Sequence, residues 1–319
     1  MGYARHTVIA FNKISDLCSL EQREGYDLTC VVCGGEITGR RDYIFQSGAF
    51  KRIYKDGRVF TCQACGLIQV DAAEISNSEL TEYYRTAYRG DAGIVSNHSP
   101  ANQAKYKGRA KAILDAANRH LTKAPSRIFE VGAGYGYNLR AIGDAYPDAE
   151  LLTDEVDKDL QGVMGARSGS IDDGPYDVVI LSHVLEHFLS PIDLLSRAAR
   201  SLSVGGVLVI EVPNDHDGIS VITACDEPHL TFFGPDTLKK ALNSSMPSTT
   251  TVAEMITCGP EKTSAGNRTR LRRWLGYIPG VLPLIDKLRR PRQATPSLPD
   301  YSTPVSGGIF LRAVVVRRT

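Results

Sequence analysis

R-I-F-E-V-G-A-G-Y-G, residues 127–136, is the stretch of sequence that decides the fold of this chain. Its first three residues predict a short buried strand, and residues 137–142 predict the first turns of a helix. Glycines between a strand and a helix allow positive φ angles and a close approach of a ligand, and the helix start offers unpaired N–H groups. The stretch therefore predicts a nucleotide-type binding loop, although its G-x-G-x-G spacing differs from that of dinucleotide binders.

A carboxylate follows this loop at the spacing of a ribose contact. Glu155 lies nineteen positions after Gly136, at the end of a second apolar run, and the neighbouring Asp154 is an alternative. A carboxylate at such a strand end can accept hydrogen bonds from both hydroxyls of a ribose. Within the loop itself, we expect Gly134 to be the tightest point.

Two further apolar runs define the rest of a sheet. They are Y-D-V-V-I-L-S-H-V-L-E-H-F at 176–188 and L-S-V-G-G-V-L-V-I-E-V-P-N at 202–214. Near-continuous Val, Ile and Leu alternating with helical patterns predict parallel strands covered on both faces. Residues 250–256 and 308–316 predict the last two strands.

Together these features resemble the class I S-adenosylmethionine (SAM)-dependent methyltransferases. The resemblance rests on the glycine loop, on Glu155 and on the two long runs, and it spans roughly residues 105–260 with the closing strand. It implies an α/β fold with a Rossmann-like, mostly parallel seven-stranded sheet, and SAM as cofactor. The glycine loop alone would equally fit a Rossmann-type protein that uses NAD or no cofactor, and the four motifs in order favour SAM. The implied cofactor contacts are Glu130, Gly132, Ala133, Gly134, Gly136, Glu155, Ser182 and His183.

Two Cys-x-x-Cys pairs stand near the start of the chain. Cys30 with Cys33, and Cys62 with Cys65, supply four thiolates and the turn glycines of two metal knuckles. Four sulfur ligands predict a structural zinc ion. Two disulfides are the alternative, which the absence of a signal-peptide pattern disfavours.

A zinc ribbon before a SAM domain resembles a group of bacterial methyltransferases, many of which act on sugars in antibiotic or surface-polysaccharide pathways. Zinc ribbons also precede some ribosomal RNA guanine methyltransferases. The resemblance covers roughly residues 29–88 and includes Tyr83, Tyr84 and Tyr88 on a predicted helix. For these tyrosines we favour interdomain packing over ligand contact.

The predicted organisation has four parts. Residues 1–27 form a leader, 28–75 the ribbon, 76–104 a linker, and 105–319 the methyltransferase domain with an insertion at 258–303. A formal net charge of +1 over 319 residues does not favour binding to nucleic acid, and no apolar run reaches membrane-spanning length. These features favour a cytoplasmic enzyme, and they leave its oligomeric state open.

Histidines are the candidate bases, because a hydroxyl acceptor must lose a proton on methylation. His229, in H-L-T-F-F-G-P-D-T-L, resembles a family signature beside the acceptor site and is the predicted catalytic residue. His183 is predicted to wall the cofactor, and His187 to pack between elements. His216 stays open.

The acceptor is predicted to be a hydroxyl of a sugar, a nucleotide-sugar or a surface glycan. The related sugar C-methyltransferases carry Tyr-His-Glu where this chain has Asp226, Glu227 and Pro228, which disfavours C-methylation. An RNA base methyltransferase that grips RNA with the ribbon is a second hypothesis for the function. A non-catalytic binding module is a third.

A basic segment lies inside the predicted insertion. Residues 268–292 carry seven arginines and one lysine against a single acid, with apolar residues between the two basic ends. Such a segment suits an anionic acceptor or a membrane surface, so peripheral contact with the inner membrane face is a further expectation. A lid packed on the core is the alternative.

Overall fold

The structure is a computed structural model, and it describes most of the chain in seven ranges. The described residues are 29–42, 58–72, 75–88, 100–157, 165–215, 229–261 and 300–319. Several predictions fall outside them: the leader, His216, the Asp226–Pro228 comparison and the basic segment 268–292.

The described residues contain eleven strands and five α-helices. The strands are β1 (Ile37–Asp42), β2 (Arg58–Cys62), β3 (Ile68–Val70), β4 (Arg127–Glu130), β5 (Glu150–Thr153), β6 (Arg167–Ser168), β7 (Tyr176–Ser182), β8 (Leu202–Pro213), β9 (Thr231–Phe232), β10 (Thr250–Glu261) and β11 (Gly308–Arg317). The helices are α1 (Asn77–Thr86), α2 (Pro100–Asn118), α3 (Tyr137–Ala145), α4 (Pro191–Arg200) and α5 (Pro235–Ser245). Short 3₁₀ helices lie at Ile171–Asp173 and Leu185–His187.

Seven strands form one large sheet in the order β10-β11-β8-β7-β4-β5-β6. The pairs among β4, β5, β6, β7 and β8 are parallel, whereas β11 runs antiparallel to both β8 and β10. This arrangement confirms the predicted mostly parallel, Rossmann-like sheet.

Helices cover both faces of the large sheet. On one face, apolar residues of α4 and α5 pack on alternate residues of β7 and β8 such as Val179 and Leu208. On the other face, α2 and α3 pack on the intervening residues, such as Val178 and Val207. Burial of both faces explains why these strands read as near-continuous apolar runs.

A second, four-stranded sheet has the order β1-β2-β3-β9. Strand β9 comes from the predicted methyltransferase domain, and it pairs with β3 through Ile68 opposite Phe232 and Gln69 opposite Thr231. The ribbon therefore shares a sheet with the segment that carries His229, where the sequence predicted a separate unit ending at residue 75. That prediction missed the pairing because β9 is only two residues long.

Two boundaries differ from the sequence prediction. Helix α2 begins at Pro100, inside the predicted linker. Strand β10 continues through Cys258 to Glu261, so the insertion begins later than the predicted residue 258. In the described part of the chain, no helix is long and apolar enough to cross a membrane.

Candidate active site

The glycine loop connects β4 to α3 in the predicted manner. Gly132, Gly134 and Gly136 have φ angles of 56°, 56° and 67°, which other residues adopt only with strain. A Cβ added at Gly132 would lie 3.2 Å from Val184 Cγ1, whereas one added at Gly134 would meet no protein atom within 4 Å. Gly132 is therefore the tighter packed position, and Gly134 borders open space, contrary to expectation.

Two acids bind the backbone of this loop. The Gly132 N–H donates to Asp154 Oδ1 at 2.9 Å, and the Gly134 N–H donates to Glu155 Oε2 at 2.7 Å. The other Glu155 oxygen accepts from the Asp157 N–H at 2.9 Å. Of the two acids, Glu155 borders the cavity described below, which favours it over Asp154 as the ribose contact.

Glu130 ends β4 with its carboxyl group buried. Burial raises its pKa to about 8, the nearby Glu155 and Asp154 carboxylates add to the rise, and a hydrogen bond from Asn138 Nδ2 at 2.6 Å opposes it. Burial likewise raises the pKa of Asp154 to about 7, against the hydrogen bond from Gly132. Three carboxyl groups thus meet at the loop, and two of them favour the protonated form.

We expect Glu130→Gln to flatten the pH dependence of stability. The folded pKa of Glu130 lies above the ordinary value of 4.5, so the folded state keeps a proton that the unfolded state loses. Stability from this group should therefore be lost as pH rises from about 4.5 towards 8. Thermal unfolding between pH 5 and 8 measures this; Asp144→Asn, at an exposed site, should behave as wild type. An unchanged slope in Glu130→Gln would contradict the assignment.

One cavity of about 390 Å³ adjoins the loop, within the range of small-molecule sites. One wall is the glycine loop with Glu155, and it includes most of the predicted cofactor contacts. Further lining residues come from α1 and from the segment after β7, and they include Tyr84, Tyr88 and His187. The predicted contacts at the cavity are Glu130, Gly132, Ala133, Gly134, Glu155, Ser182 and His183.

Gly136 and His229, by contrast, are not among the residues that line this cavity. Gly136 is the N-cap of α3. His229 is buried behind His187, with ring centroids 5.0 Å apart. Its predicted role as base stays a prediction, and the geometry makes His187 the nearer histidine.

His187 is held by contacts on both ring nitrogens. Its Nδ1 lies 3.0 Å from the Tyr84 hydroxyl, and its Nε2 lies 3.9 Å from Glu186 Oε1. His229 Nε2 lies 4.0 Å and His183 Nδ1 lies 3.6 Å from the same oxygen. Three histidines therefore surround one buried carboxylate at the cavity wall.

Tyr84 and Tyr88 pack as predicted, on the cluster that joins the ribbon, α1 and β9. The sequence does not predict that they also line the cavity with His187, or that His187 lies beside the buried Glu186. The spacing of His183 and His187, four residues apart, and the same spacing of Tyr84 and Tyr88, was the available signal. The contact between Tyr84 and His187 joins residues 103 positions apart and has no local signature.

A buried ion-pair cluster lies next to the cavity. Glu211 is fully buried and accepts from Arg109 Nη2 at 2.7 Å and from Arg312 Nε at 3.0 Å. Burial would raise the pKa of Glu211, but the two guanidinium groups hold it well below its usual range. Arg109 lines the cavity and lies 4.5 Å from the centroid of the Phe310 ring. The cluster joins α2, β8 and β11 at the cavity.

The four predicted metal ligands converge at the ribbon. Cys30 Sγ lies 3.5 Å from Cys65 Sγ, and Cys33 Sγ lies 3.5 Å from Cys62 Sγ. All four sulfurs lie within 4.8 Å of one another and none forms a disulfide. Tetrahedral zinc with bonds of about 2.3 Å places its sulfurs about 3.8 Å apart, so the cluster fits that ion.

Two matching turns hold these cysteines. The Gly34 N–H donates to the Cys30 carbonyl at 2.8 Å, and the Gly66 N–H donates to the Cys62 carbonyl at 2.9 Å. Burial raises the pKa of the Cys30 and Cys65 thiols. At Cys62, hydrogen bonds from backbone N–H groups outweigh burial and lower the pKa to about 7. Backbone donors aimed at sulfur favour thiolates, the form that binds metal.

The comparisons with known proteins agree with this fold. Residues 103–245 match a family model described as a methyltransferase domain. This segment holds the glycine loop, β4 to β9 and the histidine cluster. The match supports the predicted class of a SAM-dependent methyltransferase and confirms the predicted fold class.

The relatives and solved structures that resemble this chain share little sequence identity with it. Trans-aconitate 2-methyltransferase of Methylobacterium nodulans is 28% identical over 118 residues, 34% of this chain and 46% of the relative. The enzyme of the same name from Streptomyces avermitilis is 25% identical over 134 residues, 37% of this chain and 50% of the relative. The chain thus spans about half the length of these relatives. The plantazolicin methyltransferase BpumL in complex with SAH is 15% identical, with a TM-score of 0.49 over 75% of this chain and 94% of that one.

Proposed function

We propose that this chain is an enzyme that binds SAM in the cavity and transfers its methyl group to an oxygen of a small molecule or glycan. The observation that carries the proposal is one cavity that is lined both by the glycine loop with Glu155 and by His187 with Tyr84. Bound there, SAM would supply an electrophilic methyl group on a sulfonium. Glu155 would hold the ribose, and the open face of Gly134 would admit the cofactor.

The histidine wall favours an acceptor that must lose a proton. A hydroxyl has to be deprotonated as it is methylated, and imidazole near neutral pH suits that transfer. A carboxylate, already ionised at pH 7, needs no base. His187 at the cavity, with the Tyr84 hydroxyl 3.0 Å from its Nδ1, therefore supports O-methylation of a hydroxyl.

For the acceptor class, we propose the hydroxyl of a sugar, a nucleotide-sugar or a surface glycan. Its support is the sequence resemblance of the ribbon and the amide and hydroxyl groups that Asn77, Thr81, Tyr84 and Tyr88 bring to the cavity among apolar neighbours. Carboxylic acids are the comparison class, because the two relatives are trans-aconitate methyltransferases. Incubation with labelled SAM and matched panels of sugars, small carboxylic acids and RNA tests this. Transfer to acids or RNA but not to sugars would contradict the sugar proposal.

The four-cysteine cluster is proposed to hold one structural zinc ion. A four-thiolate site leaves no open position for a substrate, so the ion would stabilise the ribbon. Because β3 pairs with β9, the ribbon would also hold Leu230, whose N–H donates to the Glu186 carbonyl at 2.8 Å. The ion would thereby help to hold Glu186 and the adjacent His229 in place behind His187.

We expect Cys62→Ser with Cys65→Ser to remove this zinc and lower methyl transfer more than SAM binding. The ribbon pairs with β9, next to Leu230 and Glu186, whereas the glycine loop connects β4 to α3. Elemental analysis measures the zinc, transfer from labelled SAM the activity, and calorimetry the affinity for SAM, with Cys258→Ser, a buried cysteine outside the cluster, as control. Unchanged zinc in the double variant, or disulfides between these cysteines, would contradict the assignment.

A further inference from the structure

A second group of metal-ligating side chains lies beside the cavity, at and behind His187, apart from the four cysteines. It consists of Glu186, His187 and His229, and one ligand atom from each lies within 4.8 Å of the other two. His187 Nε2 lies 3.9 Å and His229 Nε2 lies 4.0 Å from Glu186 Oε1. Two imidazoles and a carboxylate make a ligand set typical of zinc and other divalent first-row ions.

The distances from His187 Nε2 and His229 Nε2 to Glu186 Oε1 are close to the spacing of ligands around one ion. Bonds of about 2.0–2.2 Å to tetrahedral zinc place ligand atoms about 3.4 Å apart, so each nitrogen would move about 0.5 Å closer to this oxygen when an ion binds. The Glu186 side chain is only 1% exposed, and a buried carboxylate is stabilised by a bound cation.

The surroundings orient these ligands as supporting groups do in metal sites. The Tyr84 hydroxyl lies 3.0 Å from His187 Nδ1, which leaves Nε2 as the atom that faces Glu186. His183 lies between two carboxylates, with Nδ1 3.6 Å from Glu186 Oε1 and Nε2 3.6 Å from Glu211 Oε1. Such contacts fix ring orientation and raise the affinity of the ligands for metal.

We propose that Glu186, His187 and His229 bind a divalent first-row ion, zinc in the first instance, beside the cavity where His187 lines it. Three protein ligands leave a position for an oxygen of the acceptor, as in catalytic zinc sites. The role of the ion rests on the proposed function, whereas its binding does not. With the ion bound, His187 would act as its ligand and not as the base: coordination would lower the pKa of the acceptor hydroxyl, whose proton would pass to water. The oxygen then bonds to the methyl carbon as the carbon–sulfur bond breaks with its electron pair on sulfur.

The test is the metal content of the full chain after equilibration with zinc and dialysis. We expect about two zinc ions per chain in wild type, and loss of one in Glu186→Gln. Glu254→Gln is the matched control, because Glu254 also lies beside an imidazole, 3.4 Å from His120 Nε2, and should keep both ions. If Glu186→Gln fails to fold, His229→Gln replaces it. Cobalt substitution adds a spectroscopic readout, since an ion at this site lacks the thiolate charge-transfer absorption of the ribbon.

One zinc per chain in wild type, held by the cysteines, would overturn the proposal, as would two ions in a folded Glu186→Gln. Removal of the ion by chelation separates a failure of the metal-site proposal from a failure of the proposed function. Methyl transfer by protein with a single ion would leave the enzyme proposal standing without this site. A second ion that depends on Glu186, without methyl transfer to any acceptor, would leave the site standing without the enzyme.

Discussion

Replacing His187 by alanine is expected to lower the turnover of methyl transfer by about 10²–10⁴-fold, the loss that follows removal of a group that activates the acceptor. The affinity for SAM should stay nearly unchanged, because the glycine loop is held by Asp154 and Glu155 and not by His187. Single-turnover rates across pH, together with calorimetry for SAM, measure the two effects.

Two histidine variants sharpen this prediction. His229→Ala should also lose turnover, since its ring packs on His187 and lies 4.0 Å from Glu186. His120→Ala, on a histidine beside Glu254 and outside the cavity, should retain wild-type turnover. Normal turnover in His187→Ala with a loss confined to His229→Ala would show that His229 alone meets the acceptor, as the sequence predicted.

The second large effect is expected from Glu211→Gln, which should lower the free energy of unfolding by about 3–5 kcal/mol. The substitution keeps the shape of the side chain and leaves two guanidinium groups without their shared carboxylate. Arg312 and Glu211 are fully buried, so solvent cannot compensate for the lost charge at Arg312, whereas Arg109 is 12% exposed at the cavity. Urea-induced unfolding measures the change.

The control is an ion pair of the same chemistry at the surface. Glu254 accepts from Arg119 Nη2 at 2.7 Å, and the Arg119 side chain is 41% exposed. Glu254→Gln should therefore cost no more than about 1 kcal/mol. Equal losses of unfolding free energy in the two variants would show that the buried cluster contributes no more to stability than the surface ion pair.

The large sheet could be predicted because its signals are local. A strand, three glycines and a helix start lie within residues 127–142, and β7 and β8 are apolar because both of their faces are covered. The cysteine cluster could be predicted for the same reason, since each pair lies within one turn. Their closure into one group needed only the return of β2 beside β1.

The part of the site formed by α1, α2 and the segment after β7 could not be predicted in this way. Tyr84 meets His187 across 103 positions and Arg109 meets Glu211 across 102 positions, and such contacts are set by the packing of α1 and α2. Strand β9 is too short to carry an alternating pattern, so its pairing with the ribbon left no trace in the sequence. His187 was assigned to packing because a histidine beside an apolar segment usually has that role.

SAM binding at the glycine loop is the central claim for this protein, and a calorimetric titration of SAM tests it most directly. Wild type should bind, and Glu155→Ala should bind more weakly by about 1.5–3 kcal/mol, the value of a charge-assisted hydrogen bond. Gly134→Val should abolish binding while its zinc content stays unchanged, because its side chain would enter the open space of the cavity from a position with a φ of 56°. No binding by wild type, or equal affinity in all three proteins, would contradict the claim.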